Sequence, residues 1–177
     1  DLNPYLEKLE PNAKDLFYPG QWDALELTDG PLAGLRFGVP MYANVMGPIV
    51  YNRDALAQVG LAEPDHDWTW QDLENYASRL VQRQDNEIQR YGFVTKVDHP
   101  GWIDAWMRSS GGELFMEADR DRFMGYTPEA LQALTFLTGL VQRGVAPSAQ
   151  SQIGGEVNGF LGERVALSQM YSVHVTR

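Results

Sequence analysis

The chain has 177 residues, 44% of them hydrophobic, which is enough apolar material for one sizeable core. Its formal charge of −10, from 24 acidic and 14 basic residues, would repel a phosphate backbone, so nucleic acid is not expected as a partner. Without cysteine there are no disulfides or thiolate ligands, and no apolar run approaches the ~20 residues of a membrane span, so any membrane contact would be peripheral.

The segment before Gly38 is predicted to be irregular. Prolines at positions 4, 11, 19 and 31 interrupt it, and a helical period is sustained only from Tyr5 to Leu9. Thr28-Asp29-Gly30-Pro31 has turn chemistry, because an Asp side chain can bond the backbone that follows it and Gly readily adopts positive φ. We therefore expect frequent changes of chain direction here.

The stretch from Gly38 to Leu56 predicts a strand, a bend, a second strand and the start of a helix. Ile49, Val50 and Tyr51 are β-branched or aromatic, which suits a buried strand. Asn52 or Asp54 can cap the short helix that follows, and Gly60 can end it.

A longer helix is predicted from residue 70 to about residue 84. Thr69 can cap its amino end, with Asp72 at the third helical position and Trp68 able to pack against Leu73. One buried stripe at spacings of three and four residues would be formed by Leu73, Ala77, Leu80 and Val81.

Two further strands and three further helices are predicted after this helix. Tyr91 to Thr95 predicts a short buried strand, and Asp98 to Gly101 then turns the chain into a helix that Gly111-Gly112 ends. Thr127 is predicted to cap a helix that runs to about Arg143, with Pro128 in its first turn. A short helix from about residue 158 is expected to lead into a strand that begins at Arg164 to Leu167.

Several short motifs follow one another along the chain: Gly38-Val39-Pro40-Met41-Tyr42, Tyr51-Asn52-Arg53-Asp54-Ala55-Leu56, Thr69-Trp70-Gln71-Asp72-Leu73, Tyr91-Gly92-Phe93, and Phe160-Leu161-Gly162-Glu163-Arg164-Val165-Ala166-Leu167. In this order and spacing they resemble the bacterial extracellular solute-binding proteins of family 1, a group that includes maltose-binding proteins. The resemblance implies an α/β fold of the periplasmic-binding-protein type II kind. Residues 1–42 would be a remnant of the first lobe, 43–48 the hinge crossing and 49–177 an incomplete second lobe.

The resemblance also implies a function without catalysis. The chain would be the periplasmic or extracellular binding component of an ABC importer, and would capture a sugar or a sugar-like polar solute by lobe closure. It would then deliver the solute to the permease subunits, with no cofactor and no metal. A lipid anchor on the full-length protein is left open.

The candidate ligand-binding residues lie in three places, and each has an alternative explanation. Along an extended run, Tyr42 and Asn44 point to one side, toward either a cleft or solvent. By position in the family, His99 and Trp102 fall where the turn and helix start contact ligand, although His99 could simply be exposed and Trp102 could pack in the core. Where the family often has a sugar-stacking Trp, this chain has Tyr171 and Ser172, which could also be an ordinary strand end.

Metal binding and catalysis are alternatives that the sequence supports less well. Asp65-His66-Asp67 lies before a helix cap without a second histidine at helical spacing, so a solvated turn is the simpler explanation. The nucleophile-elbow, Walker and HExxH motifs are absent. A carbohydrate-acting α/β hydrolase could still use two carboxylates such as Asp98 and Glu113. A sensor or scaffold that has lost transport is a third alternative.

Overall fold

The structure is a computed structural model that describes residues 1–9, 12–18, 20–41, 46–116 and 119–171. These residues fall into two compact units, Asp1–Asn44 and Val45–Arg177. The assignment of 1–42, 43–48 and 49–177 to a first-lobe remnant, a hinge crossing and a second lobe stays a prediction.

The first unit is organised around a buried arginine. It contains α1 (Asn3–Leu9) and two short 3-10 turns, Ala13–Leu16 and Asp23–Leu25. The guanidinium of Arg36 donates to the carbonyl of Trp22 at 2.5 Å and to the carboxylate of Glu26 at 2.8 Å, and it lies 4.0 Å from the centre of the Trp22 ring. Because Arg36 is 1% exposed, these contacts compensate a charge that burial would otherwise penalise.

The second unit contains a four-stranded mixed sheet and a two-stranded hairpin. The strands are β1 (Met46–Tyr51), β2 (Gln82–Gln84), β3 (Glu87–Val94), β4 (Phe115–Met116), β5 (Asp119–Phe123) and β6 (Val165–Tyr171). The order in the main sheet is β1-β6-β3-β2, and β4 pairs with β5. Strand β6 is parallel to β3, whereas β1 is antiparallel to β6 and β2 is antiparallel to β3.

Helices pack against this sheet and bury one hydrophobic core. They are α2 (Arg53–Gln58), α3 (Trp70–Leu80), α4 (Pro100–Ser109), α5 (Pro128–Gln142) and α6 (Gly155–Leu161). Fully buried side chains from the strands and the helices meet in one cluster, which includes Leu56, Leu80, Phe93, Met107, Leu140 and Leu167. All residues of β6 but Tyr171 are buried, including the polar Ser168 and Gln169, and burial of consecutive residues is typical of a central strand covered on both faces.

The predicted helix caps are confirmed. The side chain of Asn52 accepts a hydrogen bond from the N–H of Ala55, and Thr127 accepts one from Ala130. Thr69 and Asp72 form a reciprocal capping box at the start of α3. These contacts explain why three helices begin where the sequence predicts.

The prediction of one helix to residue 84 is wrong. Helix α3 ends at Leu80, Val81 is extended, and 82–84 form β2, which pairs with β3. The turn between the two strands has positive φ at Asp85 and Asn86, which are residue types that tolerate the left-handed region. The strand predicted ahead of β1 is also not found in the described residues 38–41.

Asp72 is expected to make the stability of the fold depend on pH. Its carboxylate accepts hydrogen bonds from the hydroxyl of Thr69 at 2.5 Å and from the N–H of Thr69 at 2.9 Å, and these contacts lower the pKa of Asp72. A carboxyl group with a lowered pKa stabilises the folded state above its ordinary pKa, and the contribution is lost as the pH falls through the lowered value. We therefore expect Tm to depend less on pH below about pH 5 in Asp72→Asn than in the wild type.

Thermal unfolding followed by circular dichroism over a series of pH values measures this effect. Asp54→Asn is the matched control, because it removes the same charge from the first turn of α2 without touching the capping box. If Tm fell equally with pH below about pH 5 in the wild type and in Asp72→Asn, the prediction would be contradicted.

Candidate functional site

The candidate site lies at one edge of the main sheet. Because β3 and β6 are parallel, their carboxyl ends at Val94 and Tyr171 meet at the same edge, and the antiparallel β1 begins there at Met46. Crevices outside the carboxyl ends of parallel strands are the usual ligand sites of open α/β sheets. The topology therefore brings the residues after β3 and the end of β6 to the start of β1.

Gln169 is the central polar group of this edge. It is 5% exposed, in a strand that is otherwise mostly apolar. Its Oε1 accepts hydrogen bonds from the Nε1–H of Trp106 at 2.9 Å and from the hydroxyl of Thr95, and its Nε2 lies 3.5 Å from the carbonyl oxygen of Gly47. The amide therefore joins the ends of β3 and β6 to the beginning of β1. We did not predict Gln169, although a polar amide within a buried strand was a usable signal.

Tyr171 and Trp102 are brought into contact at the same edge. Their rings meet edge to face with centroids 5.0 Å apart. Tyr171 is partly exposed, whereas Trp102 is 1% exposed and its Nε1 has no hydrogen-bond partner among the described residues. Trp102 thus supports the Tyr171 ring in this arrangement. A direct contact between Trp102 and a solute stays a prediction and would require the ring to be uncovered.

His99 caps the helix that carries Trp102. Its Nδ1 accepts a hydrogen bond from the N–H of Gly101 at 3.2 Å, and the side chain is exposed. Because the cap uses Nδ1, Nε2 is the ring nitrogen that His99 could offer to a ligand while it holds the start of α4. The other predicted residues, Tyr42, Asn44 and Ser172, lie outside the described residues.

An aromatic cleft begins at Gln169 and extends along α3. It has a volume of about 260 Å³ and is lined by Gly47, Ile49, Trp68, Thr69, Trp70, Leu73, Ala105, Trp106, Ser109 and Gln169. A second cleft of about 590 Å³ shares four of these residues and continues toward Phe136. Half-buried indole rings beside amide and hydroxyl groups can contact both the apolar faces and the hydroxyls of a polar ligand.

Charged groups play a small part at this edge. Lys96 follows Thr95 directly, but its ammonium lies 3.4 Å from the carboxylate of Glu156, so its charge is compensated. No charged side chain is found among the described residues that line the first cleft. Glu74 lines the second cleft, and its carboxylate lies 2.6 Å from the guanidinium of Arg143. Among the described residues, no group of three or more His, Asp or Glu side chains is placed to hold a metal ion.

The clearest electrostatic cluster lies at the opposite end of β1. The hydroxyl of Tyr51 donates to Glu63 at 2.6 Å, which raises the pKa of Tyr51, and Arg53 lies 3.1 Å from the same carboxylate. The hydrogen bond from Tyr51 also lowers the pKa of Glu63. The side chains of Arg53 and Glu63 are exposed and Tyr51 is partly buried, and the length of β1 separates this cluster from the candidate site.

Comparison with a protein family decides the identification. The model of the bacterial extracellular solute-binding proteins matches residues 1–174. The chain belongs to the bacterial extracellular solute-binding protein family. A comparison with curated proteins found no match.

Solved solute-binding proteins share the fold of this family member. An ABC substrate-binding protein from Listeria monocytogenes in complex with cycloalternan is 23% identical with a TM-score of 0.74, over 99% of this chain and 43% of that one. A solute-binding protein from Thermotoga lettingae bound to α-D-tagatose is 21% identical with a TM-score of 0.77, over 98% and 43%. One from Agrobacterium radiobacter in complex with ribitol is 22% identical with a TM-score of 0.72, over 98% and 42%.

These comparisons confirm the predicted family and the predicted α/β fold. The chain spans about 43% of the length of the first two solved solute-binding proteins, which corresponds to roughly one lobe. Members of the family are extracellular binding proteins rather than enzymes. In the part of this member that the structure describes, no helix is both long and apolar enough to cross a membrane.

Proposed function

We propose that the chain is the binding component of an ABC importer and captures a sugar or a sugar-like polar solute outside the cytoplasm. Family membership supports the transport role, and the titles of the solved relatives name a cyclic oligosaccharide, a ketose and a polyol as their ligands. The observation that carries the choice of solute is the sheet edge, where a buried amide, a partly exposed tyrosine and an aromatic cleft lie together.

The proposed mechanism is capture by closure, with no bond made or broken. A solute that binds the closed arrangement of two lobes more tightly than the open one shifts the population toward the closed form. The closed form would then deliver the solute to membrane permease subunits. Tyr171 and the amide of Gln169 would hold the solute on this chain's side of the cleft, with Tyr42, Asn44, His99, Trp102 and Ser172 as further proposed contacts.

Incubation with cycloalternan, D-tagatose, ribitol and maltose distinguishes a protein that only binds a solute from an enzyme that hydrolyses it. A ligand that binds only the folded state raises Tm by mass action and is recovered unchanged. Release of a hydrolysis product would instead support the carbohydrate-acting hydrolase. A chain whose Tm none of these solutes changes would remove the support for sugar capture.

Tyr171→Ala is expected to weaken solute binding about tenfold, because a partly exposed aromatic ring contributes on the order of 1.5 kcal/mol when a ligand packs on its face. Isothermal titration with the solute that binds the wild type most tightly measures this change. The same substitution at Tyr126, an exposed tyrosine before α5, is the control and should leave affinity within about twofold. Equal affinities of both variants and the wild type would take Tyr171 out of the site.

A further inference from the structure

The orientation of the Gln169 amide is decided by its neighbours. The indole Nε1–H of Trp106 is a donor only, so the Gln169 atom that faces it at 2.9 Å must be the oxygen. The hydroxyl of Thr95 donates to the same oxygen. With two donors on Oε1, the acceptor half of the amide is occupied and Nε2–H2 is directed away from both donors.

The donor half of the same amide is poorly used. Nε2 carries two hydrogens, and its contact with the carbonyl oxygen of Gly47 is 3.5 Å long, at the limit of a hydrogen bond. Among the described residues, this long contact is the only acceptor that Nε2 has. A buried amide hydrogen without a good acceptor is costly, so the second hydrogen is suited to an acceptor on a ligand.

Gly47 keeps the space in front of this donor free of a side chain. Its φ is +110°, in a region that favours glycine, and a Cβ there would lie 3.3 Å from Nε2 of Gln169. A larger residue would therefore crowd the amide. Glycine at this position therefore serves both the irregular pairing of β1 with β6, whose register shifts between Met46 and Ile49, and access to the donor.

The indole ring of Trp70 forms one side of the same cleft. The Nε1–H of Trp70 donates to the hydroxyl of Ser109 at 3.1 Å, and that hydroxyl donates to the carbonyl of Trp106 at 2.7 Å. Trp70 also stacks on Phe136 with ring centroids 4.9 Å apart. These contacts hold a half-buried indole in one orientation before any ligand arrives, which lowers the entropy cost of binding.

We propose that Gln169 and Trp70 form a specificity subsite for an uncharged polyhydroxylated solute. The Nε2–H2 of Gln169 donates to one hydroxyl oxygen of the solute, and the C–H face of the same unit lies against Trp70. The described residues that line the first cleft carry no charge, which favours a neutral sugar or polyol over an ionic ligand there. This inference rests on the proposed function and adds to it the half of the Gln169 amide that binds the solute, the aromatic face of Trp70 and the neutral charge of the solute.

Gln169→Glu tests the donor selectively. The carboxylate can still accept from Trp106 and Thr95, but it replaces the amide donor with an acceptor. We expect the affinity for the tightest-binding of cycloalternan, D-tagatose, ribitol and maltose to fall about tenfold or more, because a hydrogen bond is lost and two acceptors then face each other. Gln142→Glu, the same change on the exposed side of α5, is the control and should bind as the wild type does.

The outcomes separate the subsite from the proposed function. A wild type that binds a solute, with unchanged affinity in Gln169→Glu, overturns the subsite and leaves sugar capture standing. A wild type that binds none of the four solutes overturns both. Should Gln169→Glu fail to fold, the side-chain amide resonances of Gln169 in the wild type decide: a shift on saturation with solute supports the subsite, and unmoved resonances overturn it.

Discussion

Gly92→Ala is expected to lower the free energy of unfolding by about 3 kcal/mol or more, which is a large part of the 5–15 kcal/mol typical of a domain. A Cβ on Gly92 would lie 1.9 Å from the carbonyl oxygen of Ala77 and 2.8 Å from its Cα. Both are backbone atoms of α3, so no side-chain rotation can relieve the contact. The helix would have to move away from β3 and open the core between them.

Gly139→Ala is the matched control for this substitution. Gly139 lies inside α5, and the Cβ would meet the end of the Arg143 side chain, which can move. Alanine in a helix interior is favoured over glycine by about 1 kcal/mol, so this variant should be unchanged or more stable. Urea unfolding of both variants measures the difference. A Gly92→Ala variant as stable as the wild type would mean that α3 does not approach β3 this closely.

Trp106→Ala is expected to cost about 3–5 kcal/mol of unfolding free energy and to disturb solute binding as well. The Trp106 ring is 6% exposed, and its centroid lies 6.0 Å from that of Phe93 and 5.7 Å from that of Trp70. Its removal leaves a cavity under the candidate site. It also removes one of the two donors that orient the Gln169 amide.

Trp106→Phe separates packing from hydrogen bonding. Phenylalanine keeps an aromatic ring in the core but has no N–H for Gln169, so we expect a smaller loss of stability than in Trp106→Ala. Urea unfolding gives the stability of each variant, and titration with the solute that binds the wild type gives its affinity. If Trp106→Ala and Trp106→Phe proved equally stable, ring packing would not be the main contribution of Trp106 to the free energy of unfolding.

Local features were predictable because they depend on residues close together in the chain. The caps at Asn52, Thr69 and Thr127 each need one side-chain acceptor and a backbone N–H three residues later. Distant contacts do not alter such a pair, and all three caps are confirmed. The family could be recognised for a similar reason, since its motifs are short and their spacing is visible in the sequence.

The end of α3 was not predictable in the same way. Helix-forming polar residues at 82–84 fit the continuation of a helix as well as they fit a strand. In the structure, pairing with β3 decides for the strand, and the guanidinium of Arg90 donates to the carbonyl of Leu80 at the helix end. Both partners come from the next strand, so a local pattern could not reveal them.

The sequence by itself determined the family, the α/β class and the starts of the capped helices. These features depend on contacts between residues close together in the chain and on the spacing of short motifs. Only the tertiary structure decided which groups share the sheet edge. Gln169 meets Gly47, Thr95 and Trp106 across long separations, and Trp102 becomes a support for Tyr171 when the ends of α4 and β6 come together. The burial of a side chain and the partner of an amide depend on strand order and helix packing, which no single stretch of sequence contains.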